Sequence, residues 1–285
     1  MGRGDSPHTF FAKRIRDMKI VTPEIFHLAG TRINQGGLQK FKEFHSIPDW
    51  KTDYGTEAEL LIEVAGRRCY QSWETDTKSV SKMNQNLSKV RVGNRRYIGN
   101  LLKVGHGSVL EHAVDTYALE NVSRVVTHEI VRHRLCAFSQ ESLRFVRPTS
   151  LRAYFPEVFQ DLPEPARKQV SALFEGCFEE LEIIQKHLVE VLGMDQVTRA
   201  FGDKKKLQSA MRRLMPIGMA TGIIITTNHR NWRHLIAMRT AQGAEEEIRL
   251  VFSLIADDLA VSYPALYQDM RISKDGEYSF EYGRV

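Results

Sequence analysis

Apolar residues recur along the chain in two periods, and the switches between them outline its elements. Residues 19–30 alternate loosely and predict a strand followed by a turn. From Thr56 to Trp73, Leu60, Leu61, Val64 and Ala65 recur at helical intervals. A polar stretch rich in Lys, Asn and Ser covers residues 76–95, and Tyr97–Val104 then predicts a short helix closed by Gly105. Ala113–Glu120 alternates imperfectly and predicts a strand that feeds a helix over Ser123–Val131, with Asn121 or Ser123 as its cap. The longest periodic run spans 163–194, where Val170, Leu173, Phe174, Cys177, Leu181, Ile184, Leu188 and Val191 form a stripe for a core or a subunit interface. A helix over 204–214 stops before Pro216, and the β-rich run 217–227 predicts a buried strand. Asn228–Arg239 opens another helix, and Glu245–Tyr263 forms the last.

Composition adds boundaries to this outline. No Pro/Ser-rich linker, repeat or compositional break divides the 285 residues, and 42% hydrophobic content suffices for a core, so one domain over 1–285 is expected, with a flexible N-terminus about 1–18. A net charge of +5 and a pI near 9.0 suit anionic small molecules or nucleic acid alike. Aromatics do not interleave with the basic clusters, which disfavours a base-stacking nucleic-acid surface. Cys69, Cys136 and Cys177 are odd in number and lack CxxC spacing, which argues against a disulfide framework or a structural zinc and for reduced thiols, with Cys69 and Cys177 expected as small buried residues. Without a leader pattern or a membrane-length apolar run, a cytoplasmic location and no membrane partner are expected. Arg3-Gly4-Asp5 matches an adhesion string, but such a tripeptide arises readily by chance in a terminus.

Chemistry concentrates in Val131–Arg147, where four arginines, one histidine and two serines fall within seventeen residues. Guanidinium groups keep their charge and match phosphate or carboxylate geometry, so this density points to a phosphorylated ligand. A solvated helix end is the competing explanation, because cations favour a helix C-terminus. Upstream, Gly105-His106-Gly107-Ser108-Val109-Leu110-Glu111-His112 combines glycines that allow close backbone approach with a hydroxyl and imidazoles as donors.

The spacing Arg132-His133-Arg134, Ser142, Arg144 resembles the signature of the flavin-dependent thymidylate synthases. The octapeptide resembles that family's Gly-His-x-Ser/Thr-x-x-Glu-His element, and it stands twenty-one residues upstream, counted from His112 to His133. An Arg-x-Cys-Tyr element ends at Tyr70. In the second half, Arg212 four residues before Pro216, then Asn228-His229-Arg230, His234, Arg239 and Glu247-Ile248-Arg249, match the family's order, so the resemblance covers roughly residues 60–250. Four positions depart from the common pattern: Ser139-Gln140 replaces Asn-Glu, although Ser-Gln variants also fit the family, Phe145 replaces Tyr, and Glu129 replaces Gln. Gln140 carries no negative charge, which removes a general base there.

The resemblance implies an α+β fold with a mixed or antiparallel sheet flanked by long helices. It also implies reductive methylation of dUMP to dTMP, with methylenetetrahydrofolate as carbon donor, reduced FAD as hydride donor and NADPH regenerating the flavin. Family residues carried onto this chain assign dUMP to Glu129, Arg132, Gln140, Glu141, Ser142, Arg144, Arg212 and Arg239, with Arg239 as the catalytic cation. They assign FAD to His106, Ser108, Arg132, His133, Arg134, Gln140, Asn228, Arg230 and His234. No metal is implied, and a homotetramer with shared sites is. No GxGxxG fingerprint precedes a helix, so FAD would be held by scattered contacts. Cys136 lacks the Pro-Cys-His context of the other thymidylate synthase class, so a nucleophilic role is not expected. Two alternatives stay open: a basic nucleic-acid-binding protein that clamps phosphate with the Arg-His-Arg region, and a related flavoprotein acting on another pyrimidine nucleotide.

Overall fold

The computed structural model describes residues 20–74, 84–87, 89–148, 150–196 and 200–285. The flexible N-terminus expected about 1–18, with its Arg-Gly-Asp string, and much of the polar stretch 76–95 lie outside these residues. The chain runs β1 (Ile20–Val21), β2 (Glu24–Gly30), α1 (Gln35–Phe44), α2 (Glu57–Tyr70), α3 (Asn94–Lys103), a 3-10 turn (Gly107–His112), β3 (Val114–Ser123) and α4 (Arg124–Ile130). It continues through β4 (Ala137–Gln140), β5 (Ala153–Tyr154), α5 (Glu157–Gln160), α6 (Glu164–Val191) and α7 (Phe201–Met211). A second 3-10 turn (Arg212–Leu214) leads to β6 (Ala220–Asn228), α8 (His229–Arg239), α9 (Glu246–Ser262), β7 (Met270–Ile272) and β8 (Tyr278–Phe280). The class is α+β, with one four-stranded sheet in the order β2-β3-β6-β4, a parallel pair β1-β5 and an antiparallel pair β7-β8. Among the described residues no helix is long and apolar enough to cross a membrane.

Two compact units are each assembled from separated stretches. One holds the described residues up to Glu24, with Leu119–Arg132 and Ser139–Ile224; the other holds Ile25–Ala118, His133–Phe138 and Ile225–Val285.

In the first unit, α6 lays Phe174, Phe178 and Leu181 on a core of Leu143, Leu151, Ala153, Met215 and Met219. Of the expected stripe, Phe174 and Leu181 lie on this core. Leu173 and Val191 are 75% and 68% exposed, and Cys177 lies outside the core, because α6 carries apolar residues on two faces and this core takes one. Ser123 caps α4 by accepting the Val126 N–H at 3.2 Å, while the Arg124 and Val125 N–H groups donate to the Met219 and Ile217 carbonyls. Those two carbonyls keep Ile217 and Met219 out of β6, which starts at Ala220 and not at 217.

In the second unit, α2 opens with a reciprocal capping box between Thr56 and Glu59. Buried Arg67 donates to Glu63 at 2.7 Å and to the Ser72 and Arg91 carbonyls, with its guanidinium 4.3 Å from the Tyr97 ring. Asn94 donates its side-chain N–H to Glu63 and its backbone N–H to Asp53, so α3 begins three residues earlier than Tyr97. Cys69 is exposed, against expectation, because the buried face of α2 runs through Leu60, Ile62, Val64 and Arg67. Helices α8 and α9 bury Trp232, Leu235, Ile236, Ile248, Val251, Phe252 and Ile255. A buried bidentate pair, Arg233 to Asp269 at 2.7 and 2.9 Å, ties α8 to the segment before β7.

Candidate functional site

In the second unit the site is built on α8. Asn228 accepts the Asn231 N–H at 2.9 Å and so starts the helix, as an asparagine should at that position. The stretch His133–Phe138 is then tied to it from three directions. Thr227 Oγ1 donates to the Leu135 carbonyl at 2.8 Å, Asn231 Nδ2 donates to Cys136 Sγ at 3.1 Å, and Arg239 Nε donates to His133 Nε2 at 2.9 Å. His133 has its imidazole pushed below the ordinary value by burial, and then by the Arg239 and His234 charges. It is neutral near pH 7, and with Nε2 accepting, its proton sits on Nδ1, which leaves a ring donor for a ligand.

The glycine-rich octapeptide meets the start of the same helix. Arg230 pairs with Glu111 at 2.6 Å, and a Cβ on Gly107 would lie 2.9 Å from Arg230 Nε and 3.1 Å from the Val285 backbone, so the glycine lets both pack close to it. The His229 N–H donates to the Ala113 carbonyl at 3.1 Å. His106 bonds the Tyr70 hydroxyl at 2.8 Å and lies against a cavity of ≈ 180 Å³ that also meets Lys89 and Arg91. Ser108, Arg134 and His234 are exposed. Burial raises the Cys136 thiol above its ordinary value, so it is not a thiolate at neutral pH.

In the first unit the expected residues surround β4 and the turn after it. Arg132 is exposed just beyond α4, its N–H donating to the Glu129 carbonyl at 3.3 Å. Gln140 donates to Thr127 Oγ1 at 2.8 Å, the Glu141 N–H donates to the Gly222 carbonyl at 3.1 Å, and Ser142 Oγ accepts the Arg144 N–H at 3.4 Å. A Cβ on Gly222 would fall 2.6 Å from the Glu120 carboxylate, which lies across the strand at this glycine. Burial, and then the Glu141 charge, hold the Glu120 carboxyl above its usual range. Arg144 lines a cavity of ≈ 260 Å³ with Arg147, Lys204 and Lys205, and the Lys205 ammonium sits 4.6 Å from the Phe145 ring. Arg147 is held by Asp195 at 3.1 Å.

Sequence reasoning missed Arg124. Its guanidinium keeps Nη1 buried with no hydrogen-bond partner among the described residues; burial lowers its proton affinity, the Glu141 charge opposes that and the Arg212 charge adds to it. The signal was available: a cation in the first turn of a helix opposes the macrodipole, so its presence there calls for an anion. Also missed was a buried polar cluster in the second unit. Asp115 accepts the Tyr263 hydroxyl at 2.6 Å and a His27 ring N–H at 3.2 Å, with His229 Nε2 3.0 Å from its other oxygen. Burial first, then His27 and Arg233, press His229 down to about 3.

Comparison with known proteins places these residues in context. The family model described as thymidylate synthase complementing protein matches residues 52–265. A flavin-dependent thymidylate synthase of Mycobacteroides abscessus is 36% identical over 228 residues, covering 79% of this chain and 84% of the relative. That of Mycobacterium marinum is 34% identical over 233 residues, covering 81% and 87%. The crystal structure of thymidylate synthase X from Helicobacter pylori with FAD and dUMP superposes with a TM-score of 0.53 at 18% identity, over 87% of this chain and 98% of that one, a likeness of fold.

Proposed function

Because the chain belongs to the thymidylate synthase complementing protein family, we propose that it converts dUMP to dTMP by reductive methylation, with methylenetetrahydrofolate as carbon donor, FAD as the hydride-carrying cofactor and NADPH as reductant. The observation that carries this reading is the 2.9 Å bond from Arg239 to His133, which joins the two halves of the motif set across 106 residues within one unit.

The residues present suit a flavin. Arg134, Arg230 and His234 are donors for a pyrophosphate, and the Nδ1–H of neutral His133 is a donor for a ring carbonyl. Bound FAD supplies the hydride chemistry. His106, Ser108 and Asn228 orient it, and Arg132 and Gln140 are the further flavin contacts that the family resemblance implies. For the nucleotide, Arg132, Ser142, Arg144 and Arg212 hold the phosphate, joined by Arg124, whose orphaned N–H is a donor in reserve. Glu129, Gln140 and Glu141 address the base. Gln140 orients by its amide and moves no proton. Arg239 stabilises negative charge that develops on the uracil ring, and its bond to neutral His133 fixes the guanidinium without diminishing its charge. The chain works as a cytoplasmic homotetramer whose subunits share sites.

The test is the visible spectrum of the purified protein. A yellow preparation that NADPH bleaches, and that regains colour with production of dTMP only when methylenetetrahydrofolate and dUMP are both added, is the expected result. A colourless protein that binds nucleic acid with steep salt dependence would overturn it in favour of a phosphate clamp.

A further inference from the structure

A cavity of ≈ 270 Å³ lies in the first unit between the second half of α6 and the segment that starts at Arg147, and no residue assigned above to dUMP or FAD lines it. Its wall carries Gln185, 7% exposed, whose amide nitrogen and oxygen both lack a hydrogen-bond partner among the described residues. Two orphaned polar atoms on one buried side chain are costly, and native proteins keep such groups where something else completes them. Helical spacing sets Glu182, Gln185 and Val189 on one face of α6, with Pro148 and Leu151 adding apolar wall. The Arg147–Asp195 ion pair lines both this cavity and the one that holds Arg144, and so stands as a partition between them.

We propose that this cavity binds an adenine nucleotide, with Gln185 reading the edge of the base. A carboxamide offers one donor beside one acceptor, and the adenine amino group with its neighbouring ring nitrogen returns the complement in two parallel bonds. The imide edge of uracil or of a flavin ring is a poorer match, because it sets a carbonyl on each side of its N–H. The same wall carries Glu182, a carboxylate that accepts the Leu151 N–H at 2.5 Å. A carboxylate repels a carbonyl and attracts the second hydrogen of an amino group. Pro148, Leu151 and Val189 are apolar surfaces suited to the faces of a flat ring. Exposed Glu190 is an acceptor for ribose hydroxyls, and exposed Lys186 a cation for phosphate.

Isothermal titration of AMP into the full chain, loaded with FAD and saturated with dUMP, tests the assignment with the other nucleotide site filled. One AMP should bind per chain. N6,N6-dimethyl-AMP, which keeps the ring and loses both amino hydrogens, should bind at least about tenfold more weakly. Gln185→Leu should weaken AMP by a similar factor while its thermal midpoint holds or rises, since the substitution removes two unpaired polar atoms. Competition by NADPH would identify the source as the adenosine half of the dinucleotide, and its absence a free mononucleotide; either supports the site. No AMP binding at millimolar concentration, equal affinity for the dimethylated base, or undiminished binding by Gln185→Leu would overturn it. A preparation without flavin that still binds AMP would leave this site standing while the proposed activity fell.

Discussion

The two units hold their candidate residues in opposite conditions. Around α8, the partly buried groups are already joined to one another: Arg239 to His133, Arg230 to Glu111, His106 to Tyr70 and Asn228 to Asn231. In the other unit, Arg132 and Arg144 are exposed and Arg124 keeps a buried N–H with no hydrogen-bond partner among the described residues. The first arrangement is a frame whose geometry exists before any ligand arrives; the second is charge held in reserve for an anion. Substitutions should therefore separate into those that damage the frame or its chemistry and those that change affinity alone.

The largest effect should come from the frame itself. Asp269→Ala leaves the Arg233 guanidinium buried without its carboxylate and should cost about 3–5 kcal/mol in urea unfolding. Arg239→Ala should lower the turnover of dUMP by roughly 10²–10³-fold while flavin absorbance is retained; loss of flavin and activity together would mean that Arg239 is structural. In the other unit, Arg144→Ala should weaken dUMP binding by about ten- to a hundredfold with an unchanged unfolding midpoint. A large drop in its midpoint would erase the contrast between frame and reserve.

Acid sensitivity sharpens the comparison further. His229 titrates at about 3 in the folded chain and near 6.5 unfolded, so between those values the unfolded state binds more protons and stability falls as pH falls. The contribution is up to about 1.4 kcal/mol per pH unit. His229→Asn should lose that part of the slope between pH 6 and 4 in equilibrium unfolding. Asp115, whose buried carboxyl is raised, contributes with the opposite sign in both proteins, so their difference reports His229. The smallest effect belongs to Cys136→Ala: a half-buried thiol raised in pKa is no nucleophile, and steady-state activity should be retained for a stability cost of about 1 kcal/mol or less.

Much of the candidate site was legible in the chain because its parts are local. The Arg-His-Arg stretch, the Gly-His-Gly-Ser turn and the Asn228 cap are short segments whose spacing carries their meaning, and each stands at an element boundary as expected. Arg124 was not singled out, although a cation on the first turn of α4 contradicts the helix dipole and could have drawn attention. The Asp115 cluster left no such trace, since His27, Asp115, His229 and Tyr263 are scattered over more than two hundred positions and mean nothing until burial joins them. Short elements also escaped. The helix α1 hides behind Gly36-Gly37, and the three-residue strands β7 and β8 are too brief to alternate.

The sequence by itself determined the type and order of the long elements and the cations available for a phosphorylated ligand, because periodicity, caps and guanidinium chemistry are properties of neighbouring residues; the α+β class and the flavin came from the family resemblance. Only the tertiary structure decided which face of α6 is buried, which histidine is held neutral, and which cations are already paired. Those outcomes depend on desolvation and on partners supplied by distant segments, and neither can be read from a residue and its neighbours.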